Sequence, residues 1–312
     1  MIREANCGGI RMTECERIIS EEKIPPNFLN PEVRDEYEIT TEIKKVWAIE
    51  LDLYQKFSEI CNKHNLRYWV AFGTLLGAIR HNGFIPWDDD LDVWMPRNDY
   101  EKLLEIGADE FHLPYFLQTT LNDNDYYSAF ARLRNSNTTG SLNVSRNNKC
   151  NNGIFIDIFP LDGAPENKCS WRRRLFTNHF RNVLAHAYLY NINPNIMTRL
   201  ANKILHIPFL HYDHRKTYLK VNQYAQLETW KQSEYVGMMA FPWKFSANLV
   251  FRKEYFEKTI MHTFEFLEVP VPEGYDQLLR QRYGDYMKFP PVEQRGTWHD
   301  FIFDPDKPYN EA

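Results

Sequence analysis

The stretch FGTLLGAIRHNGFIPWDDDLDVWMPR, from Phe72 to Arg97, sets the reading of the whole chain. Gly73 and Thr74 stand between RYWVAF (Arg67 to Phe72), an apolar run that reads as a buried strand, and TLLGAIRH, which reads as a short helix. A glycine there lets another group approach the backbone. A helix start offers free N–H groups and a positive dipole end to a phosphate. After the loop NGFIPW, the run DLDVWM (Asp90 to Met95) alternates acidic and apolar residues with the strand period of two. Asp90 and Asp92 are therefore expected on one face, with Leu91 turned into the core. Two carboxylates so close repel each other, and a hard divalent cation such as Mg²⁺ relieves this well. The plainer alternative is a solvated acidic turn, since Asp88 and Asp89 come immediately before.

Outward from this stretch, Pro96 ends the strand, and Asn98 with Glu101 reads as a capping box for a helix through Ile106. Upstream, a helix begins at Thr41 and ends near Asn65, with Ile43, Val46, Ile49, Leu53, Phe57 and Ile60 at three- and four-residue spacing. Downstream, Tyr115 to Thr119, Ser128 to Arg134 and Gly153 to Phe159 read as short strands. The last of these carries Asp157, a lone carboxylate on an apolar strand, where it needs a partner or a metal. Residues 168–232 have helical spacing, broken near Asn193 to Asn195 and around Pro208, and the end of the chain is studded with proline. The expected fold class is α/β, more closely α+β: a small mixed sheet flanked by helices, with an added mostly helical region. The expected parts are an N-terminal arm at 1–39, a catalytic core at 40–165, and a helical region with a C-terminal segment at 166–312.

Length and composition bound what this fold does. The chain has 312 residues, enough for one large domain or two ordinary ones, and 43% are hydrophobic. Its 37 basic and 42 acidic side chains leave a net charge of −5, which argues against a general nucleic-acid binder. No run approaches the roughly 18 apolar residues of a spanning helix, and the first residues lack the apolar core of a signal peptide. A cytoplasmic location is therefore expected. The five scattered cysteines include no C-x-x-C pair and read as free thiols. Peripheral association with a membrane stays open, but no amphipathic basic helix stands out in the sequence.

A Gly-Thr helix start, an Asp-x-Asp strand and a further strand Asp together describe a metal-dependent phosphoryl or nucleotidyl transfer site. The whole stretch resembles the signature of the LicD family, phosphocholine transferases of the nucleotidyltransferase superfamily related to the fukutin and fukutin-related protein domain. The likeness continues in FARLRNSNTT (130–139), GIFIDIFPLDG (153–163) and LLRQRYGDYMKFPP (278–291), and spans residues 40–295. It departs at Trp94, where a small residue is expected.

The resemblance implies a nucleotidyltransferase-type fold and Mg²⁺ (or Mn²⁺) bound by Asp90 and Asp92, with Asp157 completing the site. Gly73 and Thr74 would hold the donor's phosphates. It implies that an acceptor hydroxyl on a cell-surface glycan precursor, as in lipopolysaccharide or teichoic acid modification, attacks the β-phosphate of CDP-choline or another CDP-alcohol. Asp157 would orient or deprotonate that hydroxyl, and Asp88 would support the ligands. A true nucleotidyltransferase moving NMP from an NTP, or an inactive binding module of the same fold, are the alternatives.

Other residues have two readings each. Arg80 suits a phosphate or an ion pair with Asp88 or Asp89. Arg132 and Arg134, two apart on a strand, suit a donor pyrophosphate or a solvated face. Trp87 and Trp94 bracket the carboxylates and suit a quaternary ammonium through cation–π attraction, or the core. His81, the loose trio His206, His211 and His214, and Tyr283 with Asp285 carry weaker signals. Asn82, Asn98 and Asn135 keep a polyol donor open.

Overall fold

The computed structural model describes residues 12–142, 149–189, 196–208, 210–241, 249–296 and 301–310. The chain opens with α1 (Glu14–Ser20) and a hairpin of β1 (Glu32–Arg34) and β2 (Tyr37–Ile39). This arm packs closely on the rest: Cys15, Ile18, Ile24, Phe28 and Ile39 belong to the main core. Arg17 and Lys23 pair with the buried Asp52 at 2.8 and 2.7 Å.

Helix α2 (Thr41–Lys63) starts where its spacing predicts, with the Thr40 hydroxyl accepting from the Ile43 N–H. It runs across a seven-stranded mixed sheet. The sheet's centre is β8 (Ile154–Ala164), buried along its whole length. On it lie β4 (Asp92–Pro96), parallel, and β6 (Ala131–Asn135), antiparallel. Short β3 (Trp69–Val70) pairs beyond β4, and β5 (Tyr115–Gln118) beyond β6. Between β3 and β4 runs α3 (Phe72–His81), and α4 (Arg97–Glu110) follows β4 directly. Beyond the main sheet, β7 (Thr139–Leu142) pairs with β13 (Phe301–Asp304).

The helical region is α5 (Lys168–Leu189), α6 (Ile196–Leu205) and α7 (His214–Ala225). The far half of β8 pairs with β9 (Tyr235–Gly237), which pairs in turn with β10 (Val250–Arg252). A hairpin of β11 (Thr259–Phe264) and β12 (Leu267–Pro272) and helix α8 (Tyr275–Tyr283) complete the order.

Four local expectations need correction. The strand expected at Arg67 to Phe72 is only Trp69–Val70, because the chain turns at once into α3. Phe72 takes that turn at φ 43°, wedged against the rings of Trp94 and Phe159. The capping box does not form: Pro96 occupies the cap position, Asn98 lies inside α4, and the Glu101 carboxylate accepts from Arg97 instead. The strand from Gly153 runs on to Ala164, since β9, invisible to local patterning, pairs with its end. Helix α6 is both basic and amphipathic, although no such helix stands out in the sequence. Ala201 and Leu205 pack inward, while Ile196, Met197, Leu200 and Ile204 face out.

Buried polar bonds join the helical region to the sheet. Asn178 donates from Nδ2 to the carbonyls of Val221 and Met239, and Asn182 to that of Ala240. At the β4–α4 junction, Arg97 forks onto Asp162 at 2.6 and 3.1 Å and donates to Asn222 of α7 at 2.9 Å. Removing one member of such a buried pair strands the other's charge, at a cost of about 3–5 kcal/mol. Asp162→Ala should therefore lower unfolding stability by that amount in denaturant titration. The Arg97→Met/Asp162→Leu double variant should recover most of it.

Candidate active site

The acidic stretch is held from both sides. Asn82 ends α3 in the left-handed region at φ 53°, and its carbonyl accepts from the N–H of Glu265 at the β11–β12 turn. The Glu265 carboxylate accepts two hydrogen bonds from the Arg34 guanidinium, at 2.6 and 2.8 Å, and one from the Phe84 N–H at 3.1 Å. From the other side, Trp47 of α2 donates from Nε1 to the Asp88 carbonyl at 3.2 Å.

Within this frame, carboxylate oxygens of Asp88, Asp89 and Asp90 lie within 4.8 Å of one another. Among the described residues this is the carboxylate trio gathered so tightly, whereas Asp90, Asp92 and Asp157 do not form one. Asp90 precedes β4 rather than lying on it, so the expected strand alternation does not place it beside Asp92. Asp92 is buried and directly opposite Asp157 in the parallel β4–β8 register, which puts both on the same face of the sheet. Burial pushes the Asp92 carboxyl well up, and the charges of Asp90, Asp157 and Asp88 add to it.

Asp157 carries its own counter-ion. Arg132, its antiparallel partner on β6, forks onto it at 2.6 and 3.3 Å and rests over the Phe155 ring at 3.9 Å. Arg134 is buried further along β6, donating to the Gln118 side chain and to the Gly153 carbonyl. Burial, with Arg132 nearby, lowers its guanidinium to about 10.

The start of α3 faces the trio. Gly73 and Thr74 are the second and third helical residues, not a loop before the helix. Thr74 is buried and its hydroxyl accepts from the Asp92 N–H at 2.8 Å, tying α3 to the start of β4. A Cβ added at Gly73 would lie 2.3 Å from Asp88 Oδ2, so this glycine admits a carboxylate to the positive end of the helix.

Of the remaining candidates, Arg80, His81 and Trp87 lie against residues 286–289, and the others lie elsewhere. Arg80 donates to the Tyr286 carbonyl at 2.7 Å and lies 5.0 Å from the Phe289 ring centre. Burial lowers its guanidinium. His81 stacks on Phe289, and burial with Arg80 beside it brings its imidazole down to about 4. Trp87 is buried against Tyr37 and Phe289, with the Arg295 guanidinium 5.0 Å over its ring. Trp94 is buried among Phe72, Phe251 and Phe256. Of the histidine trio, His206 and His214 both stack on Tyr188.

One residue of this site is absent from the sequence reading. Glu50 of α2 is 1% exposed, and its Oε2 has no hydrogen-bond partner. Burial pushes its carboxyl well up, reinforced by Asp90, Asp89, Asp88 and Asp92 in that order. Its signal was positional: Val46, Glu50, Leu53 and Phe57 share one stripe of the helix, and a carboxylate in a buried stripe needs a reason. A cation supplies one. An unpartnered buried carboxylate oxygen beside crowded carboxylates, with oxygen donors throughout, fits a hard ion such as Mg²⁺ or Mn²⁺.

Comparison with known proteins places the chain in a family. A family model described as LicD/FKTN/FKRP, nucleotidyltransferase domain, matches residues 65–209. The lipopolysaccharide cholinephosphotransferase LicD of Haemophilus influenzae is 31% identical over 255 residues, covering 80% of this chain and 92% of that protein. The chain belongs to the LicD family. Uncharacterized protein RP689 of Rickettsia prowazekii is 36% identical over 120 residues, 37% of this chain and 41% of its own length. Uncharacterized protein RT0683 of Rickettsia typhi is 50% identical over 71 residues, 22% of this chain and 21% of its own.

Two measurements probe the acidic cluster. Because the folded carboxyls of Glu50 and Asp92 titrate above their ordinary values, the folded state holds protons that the unfolded state releases. Stability of the metal-free protein should therefore fall as pH rises from about 4.5, the ordinary glutamate value. Glu50→Gln should flatten that slope in melting curves taken across pH and should shrink the Mg²⁺-induced rise in Tm. Gly73→Ala, whose new Cβ displaces the Asp88 carboxylate, should leave the metal-free Tm unchanged or higher while weakening the Mg²⁺ response. An unaltered Mg²⁺ response in both variants would separate these residues from the ion.

Proposed function

We propose that this protein transfers phosphocholine, or another phospho-alcohol, from a CDP-linked donor to a hydroxyl of a cell-surface glycan precursor. The observation that carries the proposal is the Asp88, Asp89 and Asp90 trio beside the N-terminus of α3, with the buried Asp92 and the unpartnered Glu50 within electrostatic reach of it, in a chain of the LicD family. Asp90 and Asp92 would hold Mg²⁺ or Mn²⁺, with Glu50, Asp88 and Asp89 as the surrounding carboxylates. When bound, the ion supplies charge neutralisation for the donor's phosphates.

The chain's own residues do the rest. Backbone N–H groups at the start of α3 orient the donor's phosphates. Asp157 orients the acceptor hydroxyl, whose oxygen attacks the phosphorus bearing the alcohol. The bond from that phosphorus to the bridging oxygen breaks, CMP departs with that oxygen and the electron pair, and the hydroxyl proton passes to the phosphate of the departing CMP or to water. With both its oxygens held by Arg132, Asp157 is a fixed hydrogen-bond acceptor, which suits orienting the hydroxyl.

Choline rests on the Haemophilus relative, whose name gives that donor group, and not on an aromatic cage. Trp87 already carries a guanidinium on its ring and Trp94 is in the core. A true nucleotidyltransferase would use the same carboxylates but release pyrophosphate. A cytoplasmic location belongs to the same proposal. The test is a screen of CDP-choline, CDP-ethanolamine, CDP-glycerol and CDP-ribitol for Mg²⁺-dependent release of CMP. Expected are CMP release with one donor, abolition by Asp90→Asn and Asp92→Asn, and a metal-free Tm in those variants equal to or above wild type. Pyrophosphate release from an NTP would favour the alternative, and near-normal turnover by either variant would refute the metal assignment.

A further inference from the structure

The helical region carries an outward apolar face that the catalytic reading does not use. On α6, Ile196, Met197, Leu200 and Ile204 form one stripe, with Ile196 85% and Leu200 59% exposed. The adjoining side, Ala201 and Leu205, packs with Leu184 and Tyr188 of α5. On α5 itself, Phe176 and Phe180 are exposed at four-residue spacing, on the same stripe as Leu184 and Ala187, which meet α6. The apolar face is thus continuous from α5 onto α6.

Charge identifies what this face fits. Arg199 and Lys203 are exposed on α6 beside the apolar stripe, and Arg172 and Arg173 are exposed near Phe176 on α5. From Lys168 to Lys220 the sequence holds ten lysines and arginines and a single acidic residue, Asp213, in a chain whose totals are 37 against 42. A protein partner of ordinary composition does not call for such a bias, whereas an anionic lipid surface does. Basic side chains beside an apolar stripe reach the headgroups while the stripe enters the headgroup–acyl boundary. No helix among the described residues is long and apolar enough to cross a membrane, so the mode is lying on the surface. We propose that the outer face of α5 and α6 docks this protein onto an anionic bilayer. The inference stands apart from the identity of donor and acceptor.

The test is cosedimentation of the full chain with phosphatidylglycerol/phosphatidylcholine vesicles and with phosphatidylcholine vesicles alone. Wild type should bind the anionic vesicles, and less so as salt rises. Arg199→Glu/Lys203→Glu should weaken binding by about tenfold or more. Leu200→Ser/Ile204→Ser, which changes no charge, should also weaken it while leaving Tm and CMP release from soluble donor and acceptor analogues unchanged. The exposed Ile196→Ser gives a second, milder variant should the double change disturb folding. The proposal is overturned if wild type ignores anionic vesicles or if the variants bind like wild type. It is equally overturned if light scattering shows a dimer that Leu200→Ser/Ile204→Ser splits, since a second copy would then cover the face.

Discussion

Everything around the site depends on holding mutually repelling carboxylates together. At about 4 Å and an effective dielectric near 20, each pair of like charges costs on the order of 4 kcal/mol. Such a cluster survives only where strong scaffolding fixes its members. Here they arrive from separate elements: Glu50 from α2, Asp88 to Asp90 from the loop after α3, Asp92 from β4 and Asp157 from β8. The parallel β4–β8 pairing fixes Asp92 against Asp157. The abrupt β3–α3 turn aims the helix start at Asp88, and it places the bulky Phe72 in the left-handed region. Such a backbone conformation costs about 1–3 kcal/mol. The rings of Trp94 and Phe159 against Phe72 hold it there, which accounts for the large Trp94 where the family resemblance leads one to expect a small residue.

The neighbouring cations are arranged to fix the frame. Arg34 is committed to Glu265, Arg97 to Asp162 and Arg132 to Asp157. Each bridges elements distant in sequence, so each pins a part of the scaffold instead of merely offsetting charge. Glu50 shows the consequence: its unpartnered oxygen is the kind of buried polar atom that a folded protein rarely leaves alone.

Much of this was legible locally. The start of α2, the strands at β5, β6 and β8, the placing of Asp92 and Asp157 and the helical run after 168 follow from periodicity and from turn residues. The misses share one cause: they depend on partners distant in sequence. Whether Asn98 caps a helix depends on Arg97 having a better use for Glu101. The length of β8 depends on β9, some seventy residues later. Arg132 reads as a free phosphate ligand until the β6–β8 register sets it opposite Asp157. Glu50 lies in an apolar stripe that is easily read by skipping over it, because periodicity reports which face is buried and not what that face meets. The outward stripe of α6 is the converse, since amphipathicity does not say which side turns in.

The uneven charge has a consequence for orientation. Since ten of the 37 basic side chains lie between Lys168 and Lys220 with one acidic residue, the rest of the chain is strongly acidic. An anionic surface attracts the first region and repels the second, so the field turns the molecule before contact is made. Apolar burial of Ile196, Leu200 and their neighbours then acts only on a molecule already facing the right way. The joints between the two regions are the buried amides of Asn178 and Asn182 and the Arg97–Asp162–Asn222 link. These are directional bonds within a packed seam: they tie α5 to α7 and to the segment after β9, and α7 to the Arg97–Asp162 pair at β8. A surface that held the helices in the proposed way would therefore hold the sheet, and with it Asp92 and Asp157, in one orientation.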